Sequence, residues 1–459
     1  MVRTMLRLRP RTRSPLVLVA CLTVLIGIAG CAPPASSAAQ APGERPSQAA
    51  GPGPASSAPA AAAAPESPSD AALRLEALLG QHALLAADLM RGRLRKDEDF
   101  AQAANAAVGQ NSDDLARIVG ALLGDQQATR FKGMWSDHVA ALFNYARGLA
   151  TEDAAVREDA RTKLVGLESD IADFFSDASQ GRLDRGAART AMRVHVDHLT
   201  QQADAYAAGD YAGANAAYRQ SYLHTFELGH TLASTLLPPD QAGELNAPSW
   251  RLRSEMTRLL GEHVGLALST LRAGATNNPD FSAALAALNG NTNDVTAAVA
   301  GLFGGPAAAQ FMALWADHLD LLGTYAVDVG AKKPNRREAV QGELRDWQQR
   351  FATFIDTATE GRVPAPDLAA ALLGLDDLLL RQVDAFAAKD YRQAQDLANQ
   401  TYPQVFGLAR NMADAFGATV AARMPQGGAE TGGGGTAGVP GSSTTAVKEA
   451  GRARSGPAG

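Results

Sequence analysis

Between about residues 71 and 425, apolar side chains recur every three or four positions. No segment keeps the alternation of a strand, and no Asn-Gly turn joins β-branched runs, so helix is expected throughout. The stretch Phe131–Tyr145 shows the pattern best. Phe131, Trp135, His138, Leu142 and Tyr145 fall on one helical face, which places a histidine inside an apolar stripe. The face returns as Phe311, Trp315, His318, Leu322 and Tyr325.

That return belongs to a long repeat. Leu-Leu-Gly-Gln-His at 78–82 recurs as Leu-Leu-Gly-Glu-His at 259–263, and the segment 205–211 recurs at 385–391. The offset is 180 or 181 residues, which makes 71–240 and 249–425 two copies of one domain. The linker 241–248 lies in a region punctuated by Pro238, Pro239 and Pro248.

A shorter period runs inside each copy. His82, His138 and His195 are spaced by 56 and 57 residues, and His263, His318 and Leu375 by 55 and 57. Second marks follow each histidine. They are Asn111 and Asp114 after His82, Asp170 after His138, His224 and Glu227 after His195, and Asn291 and Asp294 after His263. The midpoint of each His–acid pair falls in a charged or Pro/Gly/Asn-rich break, near 98, 154, 211 and 278–279. For His318 and Arg350 it falls at 334. Positions equidistant from a turn share one level of an antiparallel helix pair. The expected fold is therefore all-α, two tandem copies of an up-down bundle, each of three helical hairpins. Each histidine should face its acid across the hairpin, with His318 facing Arg350.

The ends differ in composition. Residues 1–30 carry Arg3, Arg7, Arg9, Arg11 and Arg13 and then an apolar run too short to span a membrane comfortably, the form of an export signal. Residues 31–70 are Ala, Pro, Ser and Gly with almost no large apolar side chain, and 426–459 are Gly-, Ser- and Thr-rich, so both read as disordered. Removing the signal leaves 37 of the 42 basic residues against 48 acidic ones, a formal charge of −11. An acidic chain without a basic patch argues against a nucleic-acid partner. With Cys21 in the signal, no free thiol remains beyond Cys31.

Ile28-Ala29-Gly30-Cys31 resembles the lipobox of bacterial lipoproteins. The resemblance implies cleavage before Cys31, acylation of that residue, and anchoring at the outer face of the cell membrane. The core resembles an uncharacterised family of helical bacterial proteins, often from Gram-positive species. Its members carry a Leu-Trp-x-x-His helix start and an Asn-x-x-Asp-Ile segment. Trp135, His138, Asn111, Asp114, Asp170 and Ile171 carry that likeness here, with Trp315, His318, Asn291 and Asp294 in the second copy. The family implies the fold and brings no established activity.

Two readings of the polar marks follow. In the first, each His–acid pair fixes the register of two helices, and the protein is a non-enzymatic, membrane-tethered module that binds a protein or small ligand. In the second, imidazoles and carboxylates gather at one height to hold Cu, Zn or Fe. The ligand candidates are His82, Asp114, His138, Asp170, His195, His198, His224 and Glu227. The second copy offers only His263, Asn291, Asp294 and His318. Met134 or Met192 could add a soft ligand, and His230 lies near the third hairpin. No HExxH, CxxCH or nucleophile elbow is present, so no catalytic residues are assigned.

Overall fold

The computed structural model describes residues 67–423. The export signal, Cys31, nearly all of the tether and the tail 426–459 lie outside the described residues. The first copy contains α1 (Pro68–Leu94), α2 (Glu98–Leu123), α3 (Asp125–Ala150), α4 (Ala154–Ala178), α5 (Arg185–Ala207) and α6 (Tyr211–Leu236). A short α7 (Pro239–Ala242) and a 3-10 turn (Gly243–Asn246) lead to the second copy. That copy contains α8 (Pro248–Ala275), α9 (Phe281–Phe303), α10 (Gly305–Gly330), α11 (Pro334–Ala358), α12 (Ala365–Ala387) and α13 (Tyr391–Arg423). The described residues contain no strand, and none of their helices is long and apolar enough to cross a membrane.

The hairpin tips form where the turn residues place them. Lys96, Glu152, Gly209, Asn277, Lys332 and Lys389 each take a positive φ just after a helix. At every tip the next amide bonds back to the helix end, as Asp97 N does to Gly92 O (3.1 Å) and Asp210 N to Ala205 O (2.9 Å). Asp97, Asp153 and Asp210 then cap the returning helices through their side chains.

Successive helices of each copy touch, and the ring closes where α6 meets α1 and α13 meets α8. Inside the ring, α1, α3 and α5 also touch one another, as do α8, α10 and α12. Each bundle is therefore three hairpins about a common axis, with the parallel first helices innermost. This arrangement, set by the 56- and 57-residue period, positions the site described below.

The two bundles share a core in which α1 packs on α8, α2 on α13 and α6 on α9. The contact is approximately two-fold. Exchanging each helix for its counterpart turns the α2–α13 contact into the α9–α6 contact, and Arg272 of α8 lies over Phe100 of α2 across the interface. Arg272 also pairs with Asp88 across the interface at 2.5 Å.

One close approach is tight enough to test. A Cβ on Gly229 of α6 would stand 2.6 Å from the Glu76 Cα of α1, a backbone atom that moves only if the helices part. Gly229→Ala is expected to cost about 1–3 kcal/mol, read as a lower urea midpoint at unchanged m-value.

Candidate metal centre

The inner helices bring three histidines together on the axis of the first bundle. His82 from α1, His138 from α3 and His195 from α5 are each 0% exposed. Their ring centroids are 5.7, 5.5 and 5.3 Å apart, and one ligating nitrogen from each lies within 4.8 Å of the others. Trp135 covers the cluster, 4.6 Å from His82 and 5.3 Å from His138 between ring centroids. The Trp-x-x-His face thus splits its work: the indole packs, and the imidazole points to the axis.

Hydrogen bonding sets this cluster apart. Both nitrogens of His82, both of His138 and Nε2 of His195 are buried without a protein partner. Each unmet buried polar group costs about 1–3 kcal/mol, so five in one place call for an explanation. The sixth nitrogen is held. Thr225 on α6 donates its hydroxyl proton to Ser221 O (2.5 Å), so its oxygen can only accept from His195 Nδ1 (3.3 Å). That bond puts the ring proton on Nδ1 and leaves the Nε2 lone pair free, the arrangement a metal-ligating histidine needs.

Electrostatics keep the rings neutral. Burial lowers the pKa of His138 to about 4 and those of His82 and His195 well below the ordinary histidine value. The charge of a protonated His138 disfavours His82 and His195 further, and His195 also feels His82, His224 and His198. Three neutral imidazoles at pH 7 are ligands rather than cations. Donors about 2.0–2.1 Å from one ion stand roughly 3.5 Å apart, so the cluster would close by about 1 Å around a metal.

The expected acids are elsewhere. Asp114 pairs with Arg117, and Asp170 and Glu227 are exposed. The tips sit at Lys96, Glu152 and Gly209, about two residues before the expected midpoints, so each expected acid lies about one turn from the level of its histidine. In the closed ring α2, α4 and α6 turn only a narrow stripe inward, and these carboxylates face out. Asn111, one turn before Asp114, is the inward residue, and it bonds Leu78 O (3.0 Å) and Gln81. His230 faces Glu76 (3.0 Å) and is no part of the cluster, while His198 and His224 form a separate half-buried pair.

In the second bundle the same positions are arranged differently. Leu375 stands where His195 would be. His318 Nε2 bonds Asp376 (2.8 Å), and Gln348 donates to the other oxygen of that carboxylate (2.7 Å). His263 bonds Asn291 (3.2 Å), and Asp294 pairs instead with Arg219 (2.6 Å). Arg350, expected opposite His318, pairs with Asp317 on the surface. An apolar cavity of about 60 Å³ opens beside His318, Trp347 and Leu375. The His–acid staple thus exists in the second copy, between α10 and α12 rather than within a hairpin.

Thr225, Asp376 and Gln348 escaped the sequence reading. Asp376 and Gln348 act between hairpins, and Thr225 acts within the third hairpin but has no counterpart hydroxyl at the matching position of the second copy, Val405. The chain matches no family model, and no curated protein or solved structure shows significant similarity to it.

Proposed function

We propose that the protein is a non-enzymatic metal-binding lipoprotein. Its first bundle holds one transition-metal ion on His82, His138 and His195, and its acylated Cys31 tethers it outside the cell. The observation that carries the reading is the set of five buried ring nitrogens without protein partners, converging from three helices. A metal ion takes one nitrogen from each ring and so satisfies three of the five together, leaving one N–H each on His82 and His138, whereas a purely structural role leaves all five unmet. The complete burial of the three rings favours holding an ion over turning over a substrate.

The donor set favours monovalent copper. Among the described residues, no carboxylate joins the three imidazoles in a ligand cluster, so the site supplies no charge to offset the ion. The cost of burying an ion rises with the square of its charge, so a monocation is far cheaper than Zn(II) in this apolar core. Three-coordination by nitrogen also suits a d10 monocation, while zinc asks for a fourth ligand.

Anaerobic titration of the purified protein with Cu(I) against a colorimetric chelator tests the reading. One tight equivalent, lost in His138→Ala and kept in His318→Ala, is expected; absence of tight binding in the wild type would sink it. Thr225→Val keeps the shape but removes the acceptor for His195 Nδ1, and is expected to weaken Cu(I) binding about 10- to 100-fold in the same assay.

A further inference from the structure

A fully buried site needs a route by which its ion arrives. His198 lies one turn beyond His195 on α5, and His224 is the neighbour of Thr225 on α6, so the third ligand and the residue that orients it each adjoin an outer imidazole. Both outer rings are half-buried, with centroids 5.7 Å apart.

Their nitrogens are prepared as ligands. His224 Nε2 donates to Ala191 O (2.9 Å), which leaves the Nδ1 lone pair of a neutral ring free. His198 Nδ1 is buried and has no protein partner. Two imidazole nitrogens suffice for a monovalent d10 ion, which accepts two or three donors.

The second bundle supplies an independent observation. His195, His198, His224 and Thr225 are matched there by Leu375, Leu378, Gln404 and Val405, while the partners of His82 and His138 survive as His263 and His318. The third ligand, the hydroxyl that orients it and both outer imidazoles are replaced together. Packing residues of these stretches change as well, Met192 to Leu372 and Leu223 to Pro403, and what marks the set is that every imidazole in it is lost.

We propose that His198 and His224 form a second, outer metal site that passes Cu(I) to the buried triad by ligand exchange. The proposal rests on the triad reading above. The ion leaves its donor for the two outer nitrogens, exchanges one of them for His195 Nε2, and finishes on His82, His138 and His195. No electron is transferred and no proton need be lost, because a neutral imidazole offers one lone pair in either tautomer.

The test is the rate of Cu(I) loading from its acetonitrile complex, and of release to bicinchoninate, in wild type and in the double variant His198→Gln, His224→Gln. Both rates are expected to fall at least tenfold, with one tight equivalent still bound at the end point. Rates within twofold of wild type overturn the relay, and so does loss of the tight equivalent, which would make the pair part of the triad. A wild type that binds no Cu(I) overturns the triad reading itself and is seen in the titration before any rate is measured. Carbethoxylation of folded wild type, which reaches half-buried rings and spares the three fully buried ones, should give the same slowing without a substitution.

Discussion

Replacing His138 with Leu is expected to leave the metal-free protein as stable as before or more so, whereas His318→Leu lowers its stability by about 3 kcal/mol. The two residues occupy the same position of the repeat, on α3 and α10. Leu at 138 removes two buried nitrogens that bond nothing in the protein and replaces them with apolar surface against Trp135 and the two remaining imidazoles. Leu at 318 removes the partner of Asp376, a buried carboxylate left with Gln348 alone. A buried charge stripped of its partner typically costs about 3–5 kcal/mol, and the remaining amide places the expectation at the low end. Urea denaturation of the two metal-free variants gives both numbers. The opposite signs carry the test: if His138→Leu also lost several kcal/mol, the first triad would be a structural network like the second, and the metal reading would lose its main support. In the presence of Cu(I) the order reverses for the first bundle, because only the wild type gains binding energy there.

How much of this was legible in the chain depends on the distance over which each feature is decided. The hairpins were legible because their causes are local: three- and four-residue periodicity inside helices, charged breaks around Lys96 and Glu152, and Gly209 or Asn277 where a tip needs a positive φ. The equal heights of His82, His138 and His195 were legible from their spacing. What faces them was not. Asn111 and Asp114 are three residues apart on one helix, and which of them points inward depends on how α2 sits against α1 and α3, a tertiary matter. The same limit hid Asp376, whose partner His318 lies two helices earlier, and Thr225, which carries no repeating mark. The union of the two bundles was illegible for a similar reason. Arg272 looks like a surface cation in the sequence, and only the contact between the bundles lays it over Phe100 and beside Asp88 of the first copy.

The second large effect is on pH. In the metal-free protein, folded His138 takes up a proton only near pH 4, against about 6.5 when unfolded. Between those values the unfolded chain binds the extra proton, so protons favour unfolding. The contribution of His138 is therefore complete above about pH 6.5 and is lost as pH falls toward 4. The 2.5-unit gap amounts to about 3 kcal/mol. Other groups titrate in the same window and would blur the total. Burial and Asp197 raise Glu168 to about 7, which acts in the opposite sense by favouring the folded state as pH falls from 7 toward 4.5. The comparison that isolates His138 is wild type against His138→Leu. The variant's advantage should grow by about 3 kcal/mol between pH 7 and pH 4, and an advantage that stays constant over that range would show the ring to be accessible to protons when folded. The same low affinity for protons governs the loaded site. Ordinary histidine ligands begin to yield their metal near pH 6.5, where protons start to compete. Rings that resist protonation until about pH 4 meet no such competition, so Cu(I) affinity at the triad should stay flat from pH 7.5 to about 5 and fall only below that, in a chelator titration repeated across the range.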